Sequence, residues 1–251
     1  MARPSITTHR LFVDHPLQAG ASIELTRDQA NYLFNVLRLE AGAGLLVFNG
    51  VDGEWQAQMT GGFKRAPGLS VMSQTRVQST NADITYCFAP LKSARLDYLM
   101  QKGVEMGASR MVPVLTRRTQ ATRFNAGRAR ANMIEAAEQC EILALPELAA
   151  EVKLDRLLAD WDLDRALIFC DEAAAHLDPI ATLRRVTAKR FGLLIGPEGG
   201  FDEEERQNIL ALPQTVVLSL GPRILRADTA AVVALTLIQA VVGDIANAGG
   251  K

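Results

Sequence analysis

Residues 193–234 read LLIGPEGGFDEEERQNILALPQTVVLSLGPRILRADTAAVVA, and this stretch decides the fold. Two apolar runs, at residues 191–195 and 215–220, each end at a Gly-Pro pair, and a helix signal follows each pair. Such runs, bounded by turn residues, predict buried strands. Loops that leave the carboxyl ends of neighbouring parallel strands converge on one crevice, where ligands bind. The stretch therefore predicts an α/β fold in which the two loops form one site.

The two loops, residues 196–201 and 221–226, limit the kind of ligand. The chain has neither the Lys-Ser/Thr of a P-loop nor a G-x-G-x-x-G fingerprint after a strand. Glu198 lies inside the first loop, where a carboxylate repels phosphate and suits ribose hydroxyls, an amino group or a cation. S-adenosylmethionine has a ribose, an amine and a sulfonium and no phosphate, so it fits this chemistry. The alternative is a plain strand-to-helix turn whose glycines supply positive φ.

Composition sets the limits of the fold and the function. With 251 residues, 48% of them hydrophobic, the chain can bury the core of one large or two ordinary domains. Its net charge of −1 excludes a uniformly basic nucleic-acid binder but allows a local patch. The three cysteines lack C-x-x-C spacing, which indicates a reducing compartment without a zinc or disulfide framework. The longest apolar run, residues 229–243, is predicted to be too short for a membrane span, so we expect a soluble cytoplasmic protein.

The pattern along the chain predicts two domains. Short strands, tight turns and one helix in residues 1–75 indicate a small β-barrel. That helix is predicted to start with a Thr26–Gln29 capping box, to bury Val36 and to end near Leu39. Residues 73–83 are polar and form the candidate linker. Strands alternate with helices in residues 82–251, which predicts a mostly parallel sheet with helices on both faces.

The two loops carry a family resemblance. LLIGPEGGF followed by LGPRILRADTAA resembles the signature of the SPOUT class of knotted methyltransferases. More narrowly, the chain is similar to the RsmE-type 16S ribosomal RNA uridine-N3 methyltransferases. The similarity extends to LFNVLRLEAG, KSARLDYLMQKGVEMGASRMVPVLTRR and AAEQC. It departs at Asp228, where the family usually has Glu, and at Ile142, near which the family usually has Arg.

This resemblance implies a fold, a reaction and partners. The fold is a PUA-like RNA-binding barrel followed by a knotted parallel sheet, and the protein is a homodimer through the C-terminal domain. The enzyme transfers a methyl group from S-adenosylmethionine to N3 of a uridine in small-subunit ribosomal RNA, either naked or in the assembled subunit. No metal and no membrane are implied. The alternatives are a related SPOUT enzyme acting on tRNA or a ribose hydroxyl, or a non-catalytic RNA-binding ribosome-assembly factor.

The expected site residues follow from the loops and the resemblance. Arg223 and Arg226 are candidates to steady the charge developing on uracil or to grip RNA phosphate, although Arg226 could instead pair with Asp228 or Glu198. Glu198 and Asp228 are candidates for the general base, or for a cofactor contact or helix cap. The residues expected to bind the cofactor are Leu194, Ile195, Gly196, Glu198, Gly199, Gly200, Leu218, Leu220, Gly221, Ile224, Leu225 and Arg226.

A basic segment predicts an RNA-binding surface. Between Glu105 and Glu135 the chain has six arginines and no carboxylate. Arginine binds phosphate bidentately, and such contacts position a nucleic acid. The alternative is a solvated face beside acidic neighbours. The residues predicted to bind RNA are Arg10, Arg38, Arg117, Arg118 and Arg123, and Arg3 and Arg27 could extend the surface.

Overall fold

The computed structural model describes residues 9–62, 65–120, 123–172, 174 and 178–247. The chain forms two compact units: residues 1–80 with 137–144, and residues 81–136 with 145–251. The boundary after Thr80 falls inside the candidate linker, but the first residues of that linker, 73–76, are strand. The short piece 137–144 belongs to the first unit although the sequence pattern gave no sign of it.

The first unit is built around a mixed sheet with strand order β1-β3-β4-β5-β2. Strand β1 pairs with β3 in parallel, and the other neighbours are antiparallel. Alternate strand residues such as Leu45, Val47 and Ala57 fill its core. In its described residues the elements are β1 (Arg10–Phe12), β2 (Ser22–Glu24), α1 (Arg27–Asn31), a π-helical turn (Tyr32–Val36), β3 (Gly44–Phe48), β4 (Glu54–Gly62) and β5 (Arg65–Arg76).

The first helix starts as predicted and ends early. Gln29 N donates to Thr26 Oγ1 over 3.2 Å, and Thr26 N donates to Gln29 Oε1 over 3.0 Å, which confirms the capping box. The helix then widens into the π turn, in which Leu37 N bonds to Tyr32 O. The wider turn changes the angular spacing of the side chains. Val36 is therefore 61% exposed, and the prediction that it is buried is wrong.

The second unit is built around a parallel sheet with strand order β12-β10-β11-β6-β7-β8, in which β9 also pairs with β7. Its central strands are buried along almost their whole length because both faces are covered. In its described residues the elements are β6 (Ile84–Phe88), α2 (Ser93–Glu105), β7 (Arg110–Leu115), α3 (Ala126–Gln139, whose last residues count with the first unit), β8 (Glu147–Leu148), β9 (Val152–Lys153), α4 (Leu154–Ala159), β10 (Arg165–Cys170), α5 (Pro179–Arg184), β11 (Arg190–Ile195), α6 (Glu203–Ala211), β12 (Thr215–Leu218), α7 (Ala227–Val242) and α8 (Asp244–Asn247).

Helices cover both faces of this sheet, as predicted. Cys87 and Leu194 pack in one cluster with Leu154 of α4 and Ile209 of α6. The neighbouring Tyr86 points to the opposite face, where it lies beside α2. Helix α7 packs against α2, α5 and β11 on that second face. The sheet is therefore the middle layer of a three-layer α/β unit.

The apolar segment at the end of the chain comprises α7 and the short α8. Residues Ala227–Ala246, with a hydropathy of 1.9, are long and apolar enough to cross a membrane by length and composition, so the prediction that this run is too short is wrong. Packing explains the composition, because Ala234, Leu235 and Ile238 are fully buried. Gln239 is also buried, and its Nε2 donates to Met106 O over 2.9 Å. The helix is thus part of the core of the second unit.

Candidate functional site

A cleft of about 1210 Å³ opens at the carboxyl ends of β10, β11 and β12, within the second unit. This is the edge at which the strand–loop–helix pattern predicted a site. The loops after all three strands contribute to its wall, together with the first residues of α2. Most of the predicted cofactor residues line it, and these are Ile195, Gly196, Glu198, Gly200, Leu218, Leu220, Gly221, Ile224, Leu225 and Arg226. Arg223 lines it as well.

Three predicted site residues do not line the cleft. Leu194 is fully buried in the cluster beneath α4 and α6, because alternate residues of β11 face opposite sides of the sheet. Gly199 is not among the lining residues, and a Cβ added there would be 3.6 Å from the side chain of Arg118. Asp228 lies in the first turn of α7, and its Oδ1 accepts the amide of Thr229 over 2.9 Å.

The loop after β11, residues 196–201, is held from several sides. Glu198 forms an ion pair with Arg95 at the start of α2. Nη1 of Arg118, from the loop after β7, donates to Gly199 O over 2.9 Å. The ring of Phe201 packs edge-on against Phe169, with 5.5 Å between the centroids. The backbone of this loop is therefore fixed before any ligand binds.

Glycine is required at two positions of this loop for different reasons. Gly200 has φ of +67°, in the region that side chains rarely adopt. A Cβ at Gly196 would lie 2.6 Å from the Phe201 ring, so this position is closed by packing. Gly199 meets only ordinary contacts at negative φ. The structure thus assigns the glycine requirement to Gly196 and Gly200.

The loop after β12, residues 221–226, contrasts with the first loop. Gly221 N donates weakly to Ser219 Oγ over 3.4 Å, and Gly221 has φ of +95°. Arg223 and Arg226 are exposed, and within the described residues neither forms an ion pair. The considered pairing of Arg226 with Glu198 or Asp228 is therefore absent, since Glu198 is taken by Arg95. Two cations at the rim of the cleft remain available to an anionic ligand.

The cleft also contains residues that sequence reasoning missed. Asp171 and Glu172 follow β10 directly and line the wall, and Arg206 of α6 donates to Asp171 Oδ2 over 3.0 Å. The strand-end signal could have found the two carboxylates, because they directly follow the apolar run of residues 166–170. Lys92 and Arg95 lie at the start of α2. The sequence analysis named them only within the segment that resembles the family and gave them no role in the site. Their position at the cleft depends on the strand order, which the sequence pattern does not give.

Cys170 lines the cleft and is partly buried. Burial raises the pKa of its thiol to about 12. A thiol with such a pKa stays protonated near neutral pH, and only the thiolate attacks. The side chain therefore contributes packing to the wall.

Much of the predicted basic surface is already paired. Nη1 of Arg117 donates to Asp202 over 2.9 Å and to Glu204 over 2.6 Å. The hydrogen bond from the amide of Glu205 and the pairing with Arg117 lower the pKa of Asp202. The buried carboxylate of Glu205 accepts the amide of Arg117 over 2.7 Å. Around Arg117 the basic segment therefore fits the alternative interpretation, a solvated face whose charge is balanced by acidic neighbours.

Two more arginines of the segment have acidic partners. Arg128 is bound bidentately by Asp97 on α2, and Arg110 lies 3.4 Å from Glu147. Arg118 differs because it lines the cleft and donates to a backbone carbonyl, and it forms no ion pair within the described part of the chain. Arg123 is exposed on the connection that precedes α3. Arg118 and Arg123 are thus the segment's residues best placed for phosphate.

Arg10 has a structural role in the first unit. Its side chain is only 5% exposed, and Nε donates to the buried Glu54 over 2.8 Å. The guanidinium lies 4.5 Å from the centroid of the Phe48 ring and donates to the carbonyls of Ala137 and Glu138. These contacts within the first unit disfavour the predicted role of Arg10 in RNA binding. Arg38 is exposed at φ of 56°, and Arg3 lies outside the described residues.

Comparison with known proteins adds a family assignment to this geometry. Residues 78–239 match the RNA methyltransferase domain, and residues 25–66 match the RNA methyltransferase PUA domain. The chain is 28% identical to ribosomal RNA small subunit methyltransferase E of Rickettsia conorii, over 92% of this chain and 95% of the relative. It is 30% identical to the protein of the same name from Synechocystis, over 94% and 78%. A methyltransferase of Legionella pneumophila, solved with bound S-adenosylmethionine, has a TM-score of 0.83 at 29% identity, covering 95% of this chain and 100% of that one.

Proposed function

The chain belongs to the RNA methyltransferase domain family, whose sequence model matches residues 78–239, and we propose that it transfers a methyl group from S-adenosylmethionine to N3 of a uridine in 16S ribosomal RNA. The observation that carries this proposal is the cleft at the carboxyl ends of β10, β11 and β12, whose rim bears Arg223 and Arg226, both exposed and without an ion pair among the described residues. The names of the relatives support the small ribosomal subunit as the source of the RNA. We place the reaction in the cytoplasm.

The cleft fits S-adenosylmethionine by the chemistry of its wall. The cofactor supplies a methyl group that is already electrophilic on its sulfonium. Backbone groups of the apolar strand ends and glycine loops, from Ile195 to Gly200 and around Leu220, suit an adenine ring. Asp171 and Glu172 offer carboxylates to a ribose or an ammonium group. No phosphate-binding loop is needed for this cofactor, in agreement with the acidic residues present.

The arginines of the second loop meet the demand of the substrate. Uridine N3 carries a proton, and negative charge develops on the uracil oxygens as this proton leaves. A preorganised cation stabilises this negative charge in the transition state. Holding N3 in line with the methyl group lowers the activation barrier further, because the reacting atoms are already oriented. Arg223 and Arg226 are exposed at the rim, with no carboxylate partner among the described residues. We assign one to the uracil anion and the other to RNA phosphate.

We assign Glu198 to positioning the cofactor, because Arg95 already engages its carboxylate. Asp228 does not line the cleft, which disfavours it as the general base. Glu198→Gln should raise the KM for the cofactor and leave kcat within about twofold of the unmodified enzyme. The reason is that a positioning contact binds the cofactor equally well in the ground state and in the transition state. The measurement is steady-state methyl transfer across pH, with Glu151→Gln, an exposed carboxylate outside the cleft, as the control. A large fall in kcat with a lost basic limb of the pH profile would make Glu198 the base instead.

The homodimer is also a proposal. A second, largely apolar hollow of about 680 Å³ lies between α5 and α7, beside the loop after β12. Val233 and Leu237 of α7 line this hollow and are only half-buried in the single chain. A second copy of the second unit would cover them. Val233→Glu should lower the mass measured by light scattering from that of a dimer to that of a monomer. An unchanged dimer mass would show that the interface does not include this hollow.

The proposed reaction is tested by direct methyl transfer. Purified protein and radiolabelled S-adenosylmethionine are incubated with small ribosomal subunits that lack native methylation and, separately, with naked 16S RNA. We expect label in 3-methyluridine, and the comparison of the two substrates shows which form is used. Label in another nucleoside would refute the N3 assignment. Cofactor binding without transfer to either substrate would favour a non-catalytic RNA-binding protein.

A further inference from the structure

We propose that the side chain of Ile224 is an apolar wedge that enters the base stack of the RNA beside the target uridine. This inference rests on the proposed function and adds a residue that positions the substrate. The backbone of Ile224 lies in the cofactor loop, but its side chain is 89% exposed. Among the described residues it is the most exposed of the large hydrophobic side chains. Because this side chain is not buried in the single chain, it makes no hydrophobic contribution to the folding of that chain.

The surroundings of Ile224 point to nucleic acid as the occupant. Arg223 precedes it and Arg226 follows two residues later, both exposed and without a carboxylate partner in the described part of the chain. The facing loop, residues 196–201, is already held by arginines from within the protein. Arg95 forms an ion pair with Glu198, and Arg118 donates a hydrogen bond to the carbonyl of Gly199. An apolar tip between free cations is the combination with which proteins hold phosphate and unstack bases.

The reaction requires such a device. N3 lies on the Watson–Crick edge of uracil, so a methyl group reaches it only when the base is unpaired and turned out of its stack. The space that the base leaves is apolar on both sides, because neighbouring bases present their faces to it. A β-branched side chain is stiff, so its position at the rim costs little entropy to fix. Ile224 thus fills the space, and an arginine grips the adjacent phosphate.

The first experiment is site-specific photo-cross-linking. Photo-leucine, an aliphatic diazirine, is incorporated at position 224 of the full chain and, as the matched control, at Leu163, which is 74% exposed outside the cleft. Both proteins are irradiated with unmethylated small ribosomal subunits. We expect the cross-link from position 224 to map to nucleotides that flank the methylated uridine, and none from position 163. Cross-links to a second copy of the chain, to distant RNA or to no RNA would overturn the proposal.

The second experiment is kinetic and uses the same subunits. Ile224→Ser should lower kcat/KM for the subunits about tenfold or more, because base extrusion loses its support. Ile224→Met should retain most of the activity, and Leu163→Ser should change nothing. The Kd for S-adenosylmethionine, measured by calorimetry, and the mass in solution should be unchanged in Ile224→Ser. A loss of cofactor affinity, a change of mass or full activity would each refute the wedge.

The two proposals fail in distinguishable ways. If the unmodified protein methylates no uridine, the proposed function is refuted, whereas the cross-link still reports whether Ile224 contacts RNA bases. If the unmodified protein forms 3-methyluridine and Ile224→Ser does so equally fast, the wedge alone is refuted.

Discussion

Replacing single arginines by glutamine separates the cations that are free for RNA from those already neutralised within the protein. Arg223 and Arg117 form the matched pair, since both are exposed and lie in loops at the carboxyl edge of the same sheet. Arg117 is held by Asp202 and Glu204, whereas Arg223 has no carboxylate partner in the described residues. Arg223→Gln should therefore reduce the number of neutralised phosphates by one, and Arg117→Gln by none.

The magnitude follows from counterion release. Each neutralised phosphate contributes a slope of about −0.7 to −0.9 in the dependence of log affinity on log salt. Arg223→Gln should make the slope less steep by about that amount, which corresponds to roughly a threefold smaller change in Kd between about 50 and about 200 mM salt. Arg117→Gln should leave the slope unchanged and lower thermal stability slightly, since two carboxylates at the start of α6 lose their partner.

The assay is equilibrium binding of unmethylated small subunits across a salt series. Thermal unfolding of each variant serves as the control for folding. Equal reductions of the slope by the two variants would refute the reasoning, because the ion pairs of Arg117 would then open for RNA. A slope unaffected by Arg223→Gln would remove that residue from the RNA contacts.

Three further changes test the packing and electrostatics of the second unit. Gly196→Ala should weaken cofactor binding about fivefold in calorimetry, because its Cβ would lie 2.6 Å from an aromatic ring, while Gly199→Ala should bind normally; equal affinities would contradict the assignment. Gly192→Ala should destabilise the protein by about 1–3 kcal/mol in denaturant unfolding, since its Cβ would lie 2.3 Å from the buried ring of Trp161, and an unchanged midpoint would show that the ring moves freely. Burial acts to raise the pKa of Asp83, but hydrogen bonds and ion pairs with Arg165 and Arg190 lower it overall. A carboxylate whose pKa is lowered in the folded state stabilises the protein above its unfolded pKa, and this stabilisation is lost as pH falls through the folded value. Asp83→Asn should therefore lower the unfolding temperature at neutral pH but not at strongly acidic pH, and a constant difference across pH would refute this linkage.

Local patterns predicted the elements of the protein well because their causes are local. The capping boxes at Thr26 and at Asp202 were readable from residues three apart, and the structure has both. The two Gly-Pro loops were readable as strand ends, and the cleft lies where they meet. The misplaced Val36 arose from a π turn, which the residue pattern does not encode.

The partners of the charged residues were decided only by the tertiary structure. Arg95 and Glu198 are 103 residues apart, and Arg10 and Ala137 are 127 apart, so no local pattern relates them. Charge counted along the chain therefore gave a basic segment, whereas folding brought carboxylates of α6 and α2 to Arg117 and Arg128. The sequence by itself determined the strands, the loops, the caps and the family. The fold determined which arginines remain free, because a charge is neutralised by what lies near it in space.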